Sequence, residues 1–94
     1  MKIEGVIWLD DVVGKLAFKH HVNTAEVEQV LNNRPKFRFA QRGMRKGEDL
    51  YTALGKTDAG RHLAVFFIRK RNRRALILSA RDMAGREKTQ YAKK

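Results

Sequence analysis

The chain has 94 residues, no cysteine, one proline and a net charge of +11, from 21 Lys and Arg against 10 Asp and Glu. That length fits one domain, residues 1–94, with a single core, and the lack of cysteine excludes disulfides and thiolate metal sites. No apolar run approaches the ~20 residues of a membrane span, and the first residues lack the basic-then-apolar profile of a signal peptide, so a cytoplasmic protein with no membrane partner is expected.

Met1 to Leu9 reads as a short strand, because Ile3, Val6, Ile7 and Trp8 favour extended backbone. Asp10 and Asp11 suit the start of a helix, where carboxylates meet free amides and the positive end of the dipole. Val12, Val13, Leu16, Ala17 and His20 then recur at helical spacing, which predicts a first helix from Asp11 to about His20. Asn23 with Glu26 three residues on has the form of a capping box. Val27, Val30 and Leu31 follow as the buried stripe of a second helix, ended by Asn32-Asn33-Arg34-Pro35 because the residue before proline avoids helical backbone.

From Lys36 the period changes from helical to alternating. Phe37 and Phe39 alternate with Lys36, Arg38 and Ala40, the pattern of a strand with one apolar and one basic face. Gln41 to Gly47 is a basic, glycine-containing loop. Glu48 to Lys56 and Arg61 to Arg69 read as strands joined by a hairpin turn at Lys56 to Gly60. A second tight turn, Lys70-Arg71-Asn72, leads into Ala75 to Ala80, whose unbroken apolar run is that of a strand buried on both faces. The last segment reads as a short helix in which Glu87 and Tyr91, four apart, share a face. The class is therefore α+β: two N-terminal helices packed on an antiparallel β-sheet meander, with a short C-terminal helix.

Charge is unevenly spread. Residues 1–33 hold three basic and five acidic side chains, a net of −2, whereas residues 34–94 hold 18 basic and five acidic, a net of +13. So strong a field on the strand-forming part points to a polyanionic partner, nucleic acid first. Arg42, Arg45 and Lys46 crowd one loop, Arg69, Lys70, Arg71, Arg73 and Arg74 crowd one turn, and Arg86 lies on the last helix. These nine can track a phosphate backbone with little base specificity.

A sharper set is Lys19, His20, Glu48, Arg61, Arg81 and Tyr91. Cutting RNA without a metal needs a base for the 2′-hydroxyl, an acid for the leaving oxygen, and cations for the charge on phosphorus. Histidine or glutamate can serve as base, lysine or tyrosine as proton donor, and arginine grips phosphate with two parallel hydrogen bonds. His20, His21 and His62 lack the spacing of a zinc site, so neither metal nor cofactor is expected. A non-catalytic nucleic-acid-binding module satisfies the same composition, as does an interaction protein whose basic face holds an acidic partner.

Several short motifs in order carry a resemblance. Lys19-His20-His21-Val22 followed by Asn23-x-x-Glu26, then Gly47-Glu48, Gly60-Arg61-x-Leu63, Ser79-Ala80-Arg81, Arg86-Glu87 and Tyr91 resemble the motif set of the BrnT family. The resemblance implies a RelE-like fold and a ribonuclease toxin that halts translation, neutralised by a cognate antitoxin. It carries functional positions onto Lys19, Glu48, Arg81 and Tyr91, and places His20 and Arg61 on family motifs. It implies Arg81 and Arg61 as phosphate clamps, Glu48 or His20 as base, and Lys19 or Tyr91 as proton donor. Related toxin-like folds also act by binding a protein target such as gyrase. The chain departs from the pattern at His21, where glycine is usual, at Leu50, where arginine is common, and in its basic 36–46 segment.

Overall fold

The computed structural model describes residues 1–93. Strand β1 (Gly5–Ile7) leads into helix α1 (Asp10–Lys15), which runs on as a π-helical stretch, Leu16–His20, before helix α2 (Thr24–Asn32). Four strands follow, β2 (Lys36–Gln41), β3 (Leu50–Lys56), β4 (His62–Arg69) and β5 (Arg74–Asp82), and helix α3 (Gly85–Ala92) comes last. The α+β class is as expected, with one five-stranded sheet and three α-helices among the described residues.

The local signals explain the helix limits. Asp10 and Asp11 fall in the first turn of α1 and not at its cap, which is Leu9 and makes no side-chain bond. Their charges still meet the positive dipole end. The π-helical stretch closes with the Val22 amide donating to the Leu16 carbonyl at 3.1 Å. The chain then reverses through His21 in the left-handed region, at φ 54°. The capping box of α2 is complete: the Glu26 amide donates to Asn23 Oδ1 at 2.8 Å and the Asn23 amide to Glu26 Oε1 at 3.1 Å.

The strand order is β1-β5-β4-β3-β2. Strands β2 to β5 form the expected antiparallel meander, but β1 joins the sheet parallel to β5, with Gly5 opposite Arg74. The sheet is thus mixed. Helix α2 rests directly on β3 where Gly55 sits, since a Cβ there would lie 3.0 Å from Val30 Cγ1 and 3.1 Å from Pro35 Cβ.

Two layers of apolar side chains cover the two faces. On the first face Val12, Leu16, Val22, Val27 and Val30 pack on Ala53, Leu63, Val65, Phe67, Ala75, Ile77 and Ala80. On the second face Leu54, Ala64 and Met83, with Phe66 and Tyr91 beside them, form a smaller cluster. Helix α3 covers only part of this second face and has no buried residue of its own. That partial cover corrects the reading of β5 as buried on both faces: Leu78 is exposed, at a register shift opposite Phe66 and Phe67 that leaves it unpaired. Phe39 is likewise exposed, beside the register shift in edge strand β2. No helix among the described residues is long and apolar enough to cross a membrane.

Candidate functional site

Arg61 precedes β4 and its guanidinium turns to the helix side. Its Nε donates to Asp82 Oδ1 at 2.8 Å, and Nη2 donates to Asp82 Oδ2 at 3.2 Å and to the His20 carbonyl at 3.0 Å. Nη1 donates to the His21 carbonyl at 2.8 Å and to Glu26 Oε2 at 3.2 Å. A guanidinium has five N–H groups, and here all five have partners within the protein. Arg61 therefore ties the end of the π-helical stretch, the start of α2 and the end of β5 together. The Arg61 hydrogen bonds hold the Asp82 carboxyl below its ordinary range, against the opposing effect of burial, with Lys88 and His20 adding to the pull. Lys19 is exposed beside this cluster and His20 half-buried.

Arg81 lies one residue earlier on β5, so alternation sends its side chain to the second face. Its Nη1 and Nη2 donate to the two carboxylate oxygens of Glu87 at 2.6 and 2.9 Å, and the guanidinium stands 5.1 Å above the Phe66 ring. The pair is held from both sides, because Glu87 Oε1 also accepts the Ala84 amide at 2.8 Å. Arg81 in turn holds the Glu87 carboxyl below its ordinary range, the opposing push from burial being the smaller influence. Next to this pair, Tyr91 packs edge-on against His62 at 5.7 Å, with the Lys36 ammonium 6.0 Å from the Tyr91 ring. Gln90 accepts from Lys36 Nζ through its carbonyl and from Arg38 through its side chain. Along β4 the second face therefore reads His62 under Tyr91, Ala64 opposite Arg81 in register, then Phe66 under Arg81.

Glu48 is elsewhere. Lys56 pairs with His62 at one end of the β3–β4 ladder and Leu50 with Ile68 at the other; the ladder alone spans roughly 20 Å at ~3.3 Å per residue, and Glu48 and Arg61 lie beyond its opposite ends. Glu48 accepts from Lys70 Nζ at 2.9 Å, and this partner keeps its carboxyl below the ordinary range. Glu48, Arg45, Lys46, Gly47, Lys70 and Arg71 border a cleft of about 400 Å³. The basic turn does not act as one patch. Arg73 is drawn to Glu4 at 3.7 Å, the Arg74 side chain lies against Gly5, and Arg69 follows Phe67 on the first face with a buried Nε that has no partner among the described residues. Arg42 borders a neighbouring hollow with Arg45 and Lys46, and Arg86 is exposed on α3.

The six residues of the sharper set are thus not brought to one point. Arg81 and Tyr91 share the second face, Lys19, His20 and Arg61 lie at the same end of the sheet toward the helices, and Glu48 is at the far end. Arg61, expected as a phosphate clamp, has no N–H left for a phosphate in this arrangement. Sequence reasoning passed over His62, Asp82 and Gln90 as site neighbours. Alternation along β4 carried the signal for His62, which shares a face with Ala64 and Phe66. Glu87 was legible as part of an Arg-Glu motif, but its pairing with Arg81 needed the turn between β5 and α3.

Comparison with known families adds one finding. Residues 14–87 match the family model described as a ribonuclease toxin, BrnT, of type II toxin–antitoxin systems. No curated protein matches the chain at a significant level.

Proposed function

Because the chain belongs to the BrnT family of ribonuclease toxins of type II toxin–antitoxin systems, we propose that it cuts RNA on the second face of the sheet without a metal and thereby halts translation. The observation that carries the siting is the two-pronged hold of Arg81 on Glu87, at 2.6 and 2.9 Å. A guanidinium that fits two carboxylate oxygens also fits two oxygens of a phosphodiester. Glu87 is then the counter-ion that an incoming phosphate displaces.

The same exchange supplies a base. Released from Arg81, the Glu87 carboxylate regains basicity beside the bound phosphate and takes the proton of the 2′-hydroxyl. The 2′-oxygen attacks phosphorus, the bond from phosphorus to the 5′-oxygen breaks, and His62, seated against Tyr91, gives the proton it carries to that oxygen; Glu87 then loses its proton to water and His62 regains one from water, which restores both groups. Products are a 2′,3′-cyclic phosphate and a 5′-hydroxyl, so atoms and charge balance. Arg81 stabilises the charge that grows on the phosphoryl oxygens, and Lys36 and Arg38, on edge strand β2 and bonded to Gln90 of α3, add to the positive field there. Arg61 holds the scaffold, and Lys19 and His20 border the site at the end of the sheet. The fold this reading assumes is RelE-like.

Membership of the family implies an antitoxin. We infer one that brings acidic residues to the basic face and an apolar anchor to the helices, where the Phe18 ring stands 84% exposed. The experiment that tests the chemistry is Glu87→Gln. The amide cannot take a proton and holds Arg81 less tightly, so kcat should fall about 100-fold or more while KM for RNA does not rise. An unchanged kcat would remove Glu87 from the reaction.

A further inference from the structure

We propose that the cleft between the Arg42–Gly47 loop and the β4–β5 turn is a second phosphate-binding site, which holds the RNA backbone several nucleotides from the cut; it rests on the reading of the chain as an RNA-cleaving protein. The cleft is built and not a chance meeting of two loops. The Gly43 amide donates to Asp49 Oδ1 at 3.0 Å and the Glu48 amide to the Arg45 carbonyl at 3.1 Å, which fixes the loop's course. Gly47, at φ 83°, lies against the stem of Arg71, whose Cγ would be 3.6 Å from a Cβ added there. The ion pair of Lys70 with Glu48 then pins the loop to the turn.

Charge decides what such a cleft takes. Arg45, Lys46, Lys70 and Arg71 border it, and of these only Lys70 has a carboxylate partner among the described residues. Four cations and one carboxylate leave a net of +3 around about 400 Å³. Like charges held this close repel, and an anion relieves that repulsion. A phosphodiester suits the space and the charge, because two guanidinium-bearing and two ammonium-bearing side chains border the cleft.

Direction links the cleft to the proposed cutting site. Along β4, alternation places His62, Ala64, Phe66 and Ile68 on one face and continues to Lys70. Ala64 is opposite Arg81 in register. The cleft thus opens on the face that carries Arg81, roughly 20 Å away at ~3.3 Å per residue. Between them lie the half-exposed Phe66 and Ile68, an apolar floor on which bases can rest.

The test compares wild type with a double variant, Arg45→Gln with Arg71→Gln. Binding of a labelled 2′-O-methyl oligonucleotide long enough to span both places, which cannot be cut, is measured by anisotropy across a salt series. Each lost single-strand phosphate contact removes about 0.7 from the slope of log affinity against log salt. The double variant should therefore lose about 1.4, and its KM should rise for long RNA but not for a dinucleotide. An unchanged slope overturns the proposal. An equal rise in KM for the dinucleotide also overturns it, since the cleft would then serve the cutting site or a free nucleotide. If wild type binds the long probe but leaves its cleavable counterpart intact, the proposed reaction fails and the slope still judges the cleft. If cleavage occurs and the slope is unchanged, the cleft alone fails.

Discussion

At the scale of single residues, two positions separate what sequence shows from what geometry adds. His21 stood out as a departure from a usual glycine, and the structure gives the physical reason for that preference: the backbone there is left-handed, at φ 54°. A side chain with a Cβ in that region costs about 1 kcal/mol. His21→Gly should therefore raise stability by roughly 0.5–1 kcal/mol in chemical denaturation, with the Arg61 bond to the residue 21 carbonyl kept because it uses backbone alone. Arg81 was legible as the residue that ends an apolar strand. Its partner was not, because Glu87 reaches it only through the turn at Met83 to Ala84. Arg81→Ala should abolish cleavage and lower stability by about 1 kcal/mol or less, the pair being partly open to solvent. Arg81→Lys should restore little, since an ammonium cannot match two oxygens at once. Steady-state cleavage rates beside far-ultraviolet circular dichroism check both variants.

At the scale of elements, the helices and the meander were readable because their signals are local. The capping box at Asn23 and Glu26, the proline at 35 and the switch to alternation at Lys36 each act within a few residues. Strand β1 is shorter than the Met1 to Leu9 expected, and its place in the sheet was not legible, because a parallel pairing with β5 depends on contacts some 70 residues apart in sequence, which no local pattern encodes. The two-sided burial expected of β5 failed for a related reason: α3 is too short to cover the second face. That helix has no buried residue, and its hold is concentrated in Glu87, Gln90 and Tyr91. Its docking should depend on pH. The Glu87 carboxyl is lower in the folded protein than its ordinary 4.5, so its stabilising share is complete above 4.5 and is lost as pH falls through the lowered folded value. Acidification should release α3 first. Tyr91 resonances should shift there before those of Trp8, which is tied to α2 through Glu28 on the opposite side of the sheet.

At the scale of the whole molecule, the split between a −2 N-terminal third and a +13 remainder was visible in the sequence, but its division into separate sites was not. The structure parts the basic residues into the Arg81 region, the cleft at Arg45 and Arg71, and side chains such as Arg73 that turn toward β1. An antitoxin held by charge alone would leave in salt. Apolar anchoring at Phe18 predicts a complex that survives size exclusion in roughly 0.5 M salt, where the Debye length is about 4 Å. Phe18→Ala should weaken that complex by about 2 kcal/mol, the loss typical of a central aromatic anchor. In the proposed reaction Arg81 and Glu87 cut RNA by 2′-oxygen attack with no metal. The most direct measurement is to incubate the purified protein with end-labelled RNA in excess EDTA and determine the termini of the fragments. The account predicts cleavage undiminished by EDTA, 2′,3′-cyclic phosphate ends, and none of these products from Arg81→Ala; fragments that require a divalent metal, or an Arg81→Ala protein that cuts at the wild-type rate, would contradict it.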